Sequence, residues 1–243
     1  MKHIVIGIEG LVGSGKTSIC RELLHKIPNS IVIHGGNLYR GIVYALMEAN
    51  KELASNMKNL EKNLEQIDIK KMMDLLKVEI KIENSETVVY IEGKKVEEEK
   101  LQSQKSSMAV SIAGGRADNT NLFIFVRNYI NDLKEKYNVI LSGRALNTIY
   151  PELDYHFFIT ADLEERVRRK AIQYEGKVEL EELKKHIETR DNLQEKAGFY
   201  KREEKTIAID VTKCKNVQES TNKVLEQMGQ LRTIGDEIVA GNK

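Results

Sequence analysis

Proline and cysteine are scarce in this 243-residue sequence, at two residues each, and neither acidic nor basic residues predominate. With only Pro28 and Pro151, no Pro-rich linker separates independent units, and no internal repeat divides the chain. Cys20 and Cys214 are too few for a disulfide framework, so both are expected to be small buried side chains in a reducing compartment. The 38 Lys and Arg residues against 37 Asp and Glu leave a formal charge of +1, which offers no global field to nucleic acid or to a membrane surface. An anionic ligand must therefore meet a local cluster. Long apolar runs are missing too: Ile4 to Ile8 is too short for the core of a signal peptide, and nothing approaches the roughly 20 apolar residues that span a bilayer. These absences lead to the expectation of a cytoplasmic protein acting on a small molecule, with no nucleic-acid or membrane partner. They set no oligomeric state.

What is present suits a globular chain. Apolar residues make up 41% and charged residues 31%, enough for a sizeable core beneath a heavily charged surface. Ile4-Val5-Ile6-Gly7-Ile8 reads as a buried strand, and Ile19, Leu23, Leu24 and Ile27 then repeat at helical spacing until Pro28 closes the helix. Ile31-Val32-Ile33 predicts a second strand, after which Leu38, Ile42, Val43, Leu46 and Met47 mark one apolar face of a second helix. This β-α-β-α opening predicts an α/β fold with a central parallel sheet, right-handed crossovers and flanking helices.

From about residue 51 to 76, Lys, Glu and Asn surround scattered Leu, Ile and Met, the pattern of exposed helices. Alternation at Val78 to Ile82 and at Thr87 to Ile91, around Asn84-Ser85, predicts a hairpin. Residues 51–107 thus read as a small lobe inserted in one domain spanning 1–243. The core resumes with a helix over 122–134, strands at 139–141 and 156–159, charged helices at 162–174 and 179–197, a strand at 206–210 and a C-terminal helix.

Gly10-Leu11-Val12-Gly13-Ser14-Gly15-Lys16-Thr17 satisfies the P-loop pattern at every fixed position and lies between a predicted strand and a predicted helix. Gly10, Gly13, Ser14 and Gly15 would turn backbone N–H groups toward phosphate oxygens, with the helix N-terminus aimed at the same charge. Lys16 would hold the β- and γ-phosphates of ATP, and Thr17 would ligate Mg²⁺. A phosphate loop fixes the nucleotide but not the reaction, so the acceptor side must decide.

That side carries an ordered series: Ile8-Glu9-Gly10 into the loop, Gly36-Asn37-Leu38-Tyr39-Arg40, Ser142-Gly143-Arg144, Asp154 to Thr160, Glu165-Arg166-Val167-Arg168-Arg169 and Arg190-Asp191. In order and approximate spacing it resembles the cytidylate kinases, over about residues 4 to 212. The resemblance implies a P-loop NTPase fold whose inserted lobe, with its hairpin, binds the acceptor, and whose helical region at 162–200 is a mobile lid. It implies ATP- and Mg²⁺-dependent phosphoryl transfer to a nucleoside monophosphate. It gives Tyr39 and Arg40 to the acceptor nucleotide, Arg40 to its phosphate, and Arg144, Arg190 and Asp191 to the same site. Arg166 and Arg169, three residues apart, would project from one helix face toward the transferred phosphoryl group, joining Lys16 and Arg190 in catalysis.

The pattern also breaks. The family's Gly-Arg-Asp is Gly143-Arg144-Ala145, so the Asp that helps read the cytosine amino group is missing. Arg190-Asp191 lacks the second Asp and the Arg that follow it in the family. The family's Asp-Thr-Gly is His34-Gly35-Gly36, and the acid before Gly-Arg is Ser142, which leaves Glu9 as the nearest candidate for the outer Mg²⁺ shell. Arg116 and Arg127 both stand as candidates for the arginine that meets the base. Losses on the acceptor side that spare the ATP loop lead to the expectation of altered or relaxed base recognition. A kinase of another small acceptor and a nucleotide-binding regulator with little turnover are the alternatives.

Overall fold

The computed structural model describes residues 3–49, 69–75, 77–97, 100–101 and 120–241. Most of the expected exposed helices between 51 and 76, and Arg116, lie outside these residues.

The apolar alternation at the start of the chain forms β1 (Val5–Gly10), buried along its whole length. It is followed by α1 (Lys16–Lys26), β2 (Ser30–His34) and α2 (Gly35–Ala49). A short α3 (Ile69–Leu75) precedes the expected hairpin, β3 (Val78–Glu83) and β4 (Glu86–Ile91), and the two-residue β5 (Lys94–Lys95). The chain continues through α4 (Thr120–Lys134), β6 (Asn138–Ser142), α5 (Leu146–Ile149), β7 (Tyr155–Thr160), α6 (Leu163–Gln173), α7 (Leu180–Lys196), β8 (Ile207–Asp210) and α8 (Val217–Gly241).

The strands form one sheet in the order β3-β4-β2-β6-β1-β7-β8, with β5 against β4. Every pair from β2 to β8 is parallel, as helical crossovers require, and the hairpin adds an antiparallel edge. Side-chain alternation sorts the core by face. Val5, Ile31, Ile33, Val139 and Leu141 pack with residues of α2, α4 and α5, whereas Ile6, Ile8, Val32, Ile140, Phe157 and Ile159 pack with α1 and α8. Each fully buried aliphatic side chain in these layers contributes about 1.5–3 kcal/mol.

The hairpin anneals to the main sheet, with Glu86 in parallel register with Val32 and the Val32 amide donating to the Ser85 carbonyl at 2.8 Å. It also lies directly against α2, where a Cβ on Gly41 would come within 2.6 Å of Val89 Cγ1. The hairpin is therefore packed on the helix that carries Tyr39 and Arg40. Parallel register brings the ends of β1, β2 and β6 to one edge, with Ile8 beside Ser142 and Ser142 beside His34. Loops leaving the carboxyl ends of parallel strands at such an edge are where α/β folds bind ligands. Among the described residues no helix is long and apolar enough to cross a membrane.

Candidate active site

The loop after β1 depends on backbone that only glycine supplies. Gly10 has φ +145°, and a Cβ there would lie 2.1 Å from the Ile159 carbonyl oxygen of β7. Gly13 and Gly15 also take positive φ, and Gly15 caps α1 in the left-handed region. No acidic residue stands in the first turn of α1, so its positive dipole end faces the loop without a carboxylate of its own. Ser14 Oγ is buried with no hydrogen-bond partner among the described residues. Lys16 Nζ folds back on the loop, donating to the carbonyls of Gly10 at 3.0 Å and Leu11 at 2.6 Å. Thr17 follows in the first turn of α1.

Cations converge on this loop from separate elements. Arg144 comes from the turn after β6, Arg190 from α7, Lys170 from α6 and Arg40 from the first turns of α2. Their mutual repulsion is visible in their acidities. Burial, then Arg144 and Arg190, press the Lys16 ammonium well below its ordinary pKa. Burial and Arg144 lower Arg190 to about 10, while burial, Arg190 and Arg40 lower Lys170 to about 8. His186, on the same side of α7, is lowered by burial, Arg190 and Lys170. Arg190 is 6% exposed, and its Nε has no hydrogen-bond partner among the described residues. Such a group of cations is costly unless an anion completes it.

Lys170 was not singled out by the sequence series, although it lies four residues after Arg166 and so on the same helical face. The arginines of the sequence series on α6 are held by contacts within the protein. Arg166, 7% exposed, donates to the Ala161 carbonyl at 3.0 Å and the Val12 carbonyl at 3.1 Å, and forms an ion pair with Asp191. Arg169 donates to Glu165 at 2.8 Å, to the Ser14 carbonyl at 3.0 Å and to the Val211 carbonyl at 2.9 Å. Both guanidinium groups are therefore engaged by backbone carbonyls of the phosphate loop and by carboxylates of α6 and α7. The reason is packing: Val12 is buried with Val167, Leu183 and Ile187, which draws the loop tip onto α6 and α7.

Asp191 likewise serves the loop. Its Oδ1 accepts the Val12 amide at 3.2 Å and lies 2.5 Å from the Tyr200 hydroxyl, and its Oδ2 pairs with Arg166. Tyr200, absent from the sequence series, is also 2.8 Å from Gln194 Oε1, which accepts from Arg144 Nε at 2.7 Å.

On the acceptor side Tyr39 is 8% exposed, and Arg40 Nη1 donates to Asn37 Oδ1 at 3.0 Å. Arg127 donates to the Ile149 and Thr148 carbonyls at the end of α5. Ala145 holds φ +52°, ψ +35° at the start of α5, a left-handed conformation uncommon for a residue without a polar side chain.

Glu9 is committed to contacts within the protein. Alternation along β1 puts Val5, Gly7 and Glu9 on the face opposite α1 and Thr17, and Glu9 is 3% exposed. One carboxylate oxygen accepts the Leu146 amide, and the other is 3.6 Å from His156 Nε2. It caps α5. His34, in the place of the family's Asp, is 2.6 Å from Glu86, which also takes a two-point contact from Arg21 at 3.0 Å. These contacts tie the hairpin to β2 and α1.

The cytidylate kinase family model matches residues 6–230 of the chain. The cytidylate kinase of Caldicellulosiruptor saccharolyticus is 30% identical over 244 residues, covering 98% of this chain and all of that one. That of Halalkalibacterium halodurans is 26% identical, covering 93% and 97%, and that of Bacillus subtilis is 27% identical, covering 94% and 98%.

Proposed function

From its place as a member of the cytidylate kinase family, we propose that the chain transfers the γ-phosphoryl group of ATP to the phosphate of a nucleoside monophosphate. The observation that carries this reading is the cluster of Lys16, Arg144, Lys170 and Arg190, drawn from separate elements to the P-loop lysine, with Arg40 close enough to act on Lys170. A nucleotide-binding regulator has no need of cations on the acceptor side. Two phosphorylated ligands brought together do need them.

Two features support a phosphate cradle here: positive φ at Gly10, Gly13 and Gly15, and a buried Ser14 Oγ without a hydrogen-bond partner among the described residues. Backbone amides of the loop and the N-terminus of α1 would hold the β-phosphate, and Lys16 would exchange its two carbonyl partners for phosphate oxygens. Thr17 would hold Mg²⁺, which takes most of its ligands from phosphate and water and, when bound, offsets the charge of the donor phosphates. Glu9 would reach that set only by giving up the Leu146 amide.

Arg40 would grip the acceptor phosphate, with Tyr39 beside it. Arg144 would turn to the same acceptor phosphate, while Arg190 and Lys170 would face the oxygens of the transferred group, where charge spreads in a loose transition state. Positioning and charge neutralisation supply most of the barrier reduction in such reactions, so no dedicated protein base is required. In this reading residues 51–107 form the acceptor-binding lobe of a single 1–243 domain, and 162–200 act as a lid that excludes water on closing. Reaction with ATP in a reducing cytoplasm suits two buried thiols, of which Cys20 is pushed up to about 12 by burial.

Ala145 and the altered sequence after Asp191 support relaxed or altered base recognition. A site with fewer complementary polar groups discriminates less. The test is phosphoryl transfer from ATP with Mg²⁺ across cytidine, uridine, adenosine and guanosine monophosphates and their deoxy forms. Transfer to at least one of them, with weak selectivity, is expected. Absence of transfer to the whole panel would overturn the reading.

A further inference from the structure

One hydrogen-bonded path joins the phosphate loop to the acceptor-side arginine. The Val12 amide donates to Asp191 Oδ1 at 3.2 Å, and that oxygen is 2.5 Å from the Tyr200 hydroxyl. The hydroxyl is 2.8 Å from Gln194 Oε1, and Gln194 Oε1 takes Arg144 Nε at 2.7 Å. Gln194 is 6% exposed, and the Tyr200 ring stands edge-on to Phe158, with centroids 5.8 Å apart at 84°. Neither end of the path can shift far without the middle responding.

The middle has one proton for two acceptors. A phenol donates a single hydrogen bond, yet both oxygens that face Tyr200 Oη are acceptors. Burial and the Asp191 charge hold its acidity below that of a free phenol, so the proton stays on Tyr200. Gln194 Oε1 is already engaged by Arg144, which makes it the poorer competitor, and the hydroxyl leans toward the carboxylate.

We propose that Tyr200 is a positioning residue that couples acceptor binding to the phosphate loop. When Arg144 turns from Gln194 to an acceptor phosphate, Gln194 Oε1 loses its competing donor and takes a larger share of the Tyr200 hydrogen bond from Asp191. Asp191 Oδ1 then gives more of its strength to the Val12 amide, so the loop is held more firmly for ATP. Acceptor occupancy thereby raises donor affinity, and by linkage donor occupancy raises acceptor affinity to the same degree. The inference rests on the kinase reading of the same site.

Tyr200→Phe removes only the hydroxyl and keeps the ring against Phe158. Affinity for a non-hydrolysable ATP analogue with Mg²⁺ would be measured by calorimetry, with and without saturating cytidine monophosphate, in wild type and variant. Wild type should bind the analogue about five-fold more tightly with the acceptor present, at the low end of common coupling. In Tyr200→Phe that ratio should fall below about two-fold, and because Asp191 Oδ1 is then never shared with the hydroxyl, the analogue alone should bind about as tightly as it binds wild type with the acceptor present, in a protein whose melting temperature shows it folded. Equal coupling in both proteins, or none in wild type, overturns the inference alone. Wild type that binds neither ligand overturns the kinase reading as well.

Discussion

Arg169 Nη1 donates to the Ser14 carbonyl at 3.0 Å, so a side chain of α6 grips the phosphate loop from its outer side. Arg166 does the same at the Val12 carbonyl, at 3.1 Å. These contacts exist before any nucleotide arrives, so their loss should be felt in the unliganded protein. Arg166→Ala removes one partner of a buried ion pair and should destabilise by about 3 kcal/mol. Arg169→Ala, more exposed and with backbone acceptors, should cost about 1–2 kcal/mol. Both should weaken binding of an ATP analogue as well as slowing turnover. Denaturant titration and calorimetry check this; unchanged stability with a loss confined to turnover would return both arginines to a purely catalytic role.

Lys16 sits among cations that oppose its charge, so a site built for phosphate is strained without it. Lys16→Ala should abolish transfer and weaken ATP-analogue affinity at least ten-fold, because a charge-assisted contact of this kind is worth about 1.5–3 kcal/mol. Removing the charge also relieves repulsion with Arg144 and Arg190, so the melting temperature should be unchanged or higher. A clear fall in melting temperature would show that Lys16 serves the fold through the Gly10 and Leu11 carbonyls more than it serves the ligand.

Lys170 sets a pH dependence whose sign can be stated. Its pKa is lowered from 10.5 to about 8, by burial first and then by Arg190 and Arg40, with Lys16 and His186 also part of the cluster. Between those pH values the unfolded chain binds more protons than the folded one, so stability rises with pH across that window. A bound phosphate reverses the balance and favours the protonated amine. At pH 8.5 ATP-analogue binding should therefore take up protons, seen as a dependence of binding heat on buffer ionisation enthalpy. Lys170→Gln should remove part of that uptake and leave the share of Lys16. Identical uptake in the variant would mean that Lys170 does not face the phosphates.

What the sequence discloses and what it hides divide along chain separation. The phosphate loop and the buried strands are written in contiguous residues, through glycine spacing and alternation, and β1, β2, β6 and β7 form within a few residues of expectation. The braces on the loop depend on contacts such as Val12 with Asp191, 179 residues apart, which no local pattern encodes. Lys170 was hidden by its neighbours: among successive basic residues on α6, helix rotation alone decides which is paired with Glu165 and which lies near Arg190 and Arg40. The four-residue α5 and the two-residue β5 are shorter than any periodic window. Glu9 looked solvated or metal-bound because sequence gives no sign that a strand-end carboxylate will cap a helix 137 residues away.

Ala145 joins conformation to selectivity. It occupies the left-handed region at φ +52°, ψ +35°, where a residue with a Cβ and no polar side chain carries about 1–2 kcal/mol of strain. Gly relieves that strain but gains freedom in the unfolded chain, so Ala145→Gly should stabilise by no more than about 1 kcal/mol. Asp is more at home in this conformation, because its short side chain can hydrogen-bond locally, yet Glu9 already holds the adjacent Leu146 amide and would repel a second carboxylate. Ala145→Asp should therefore leave stability within about 1 kcal/mol of wild type. The same carboxylate restores an acceptor beside Arg144, at the position where the family reads the cytosine amino group. A site that hydrogen-bonds its substrate can reject a mismatched analogue by about 10⁴–10⁵, and recovering one contact should yield part of that. We expect a shift in kcat/KM of about ten-fold or more toward cytidine monophosphate over uridine monophosphate in Ala145→Asp, against weak preference in wild type. Sharp cytidine selectivity in wild type, unchanged by the substitution, would place base reading on other residues. Ala145 would then bear on the turn alone.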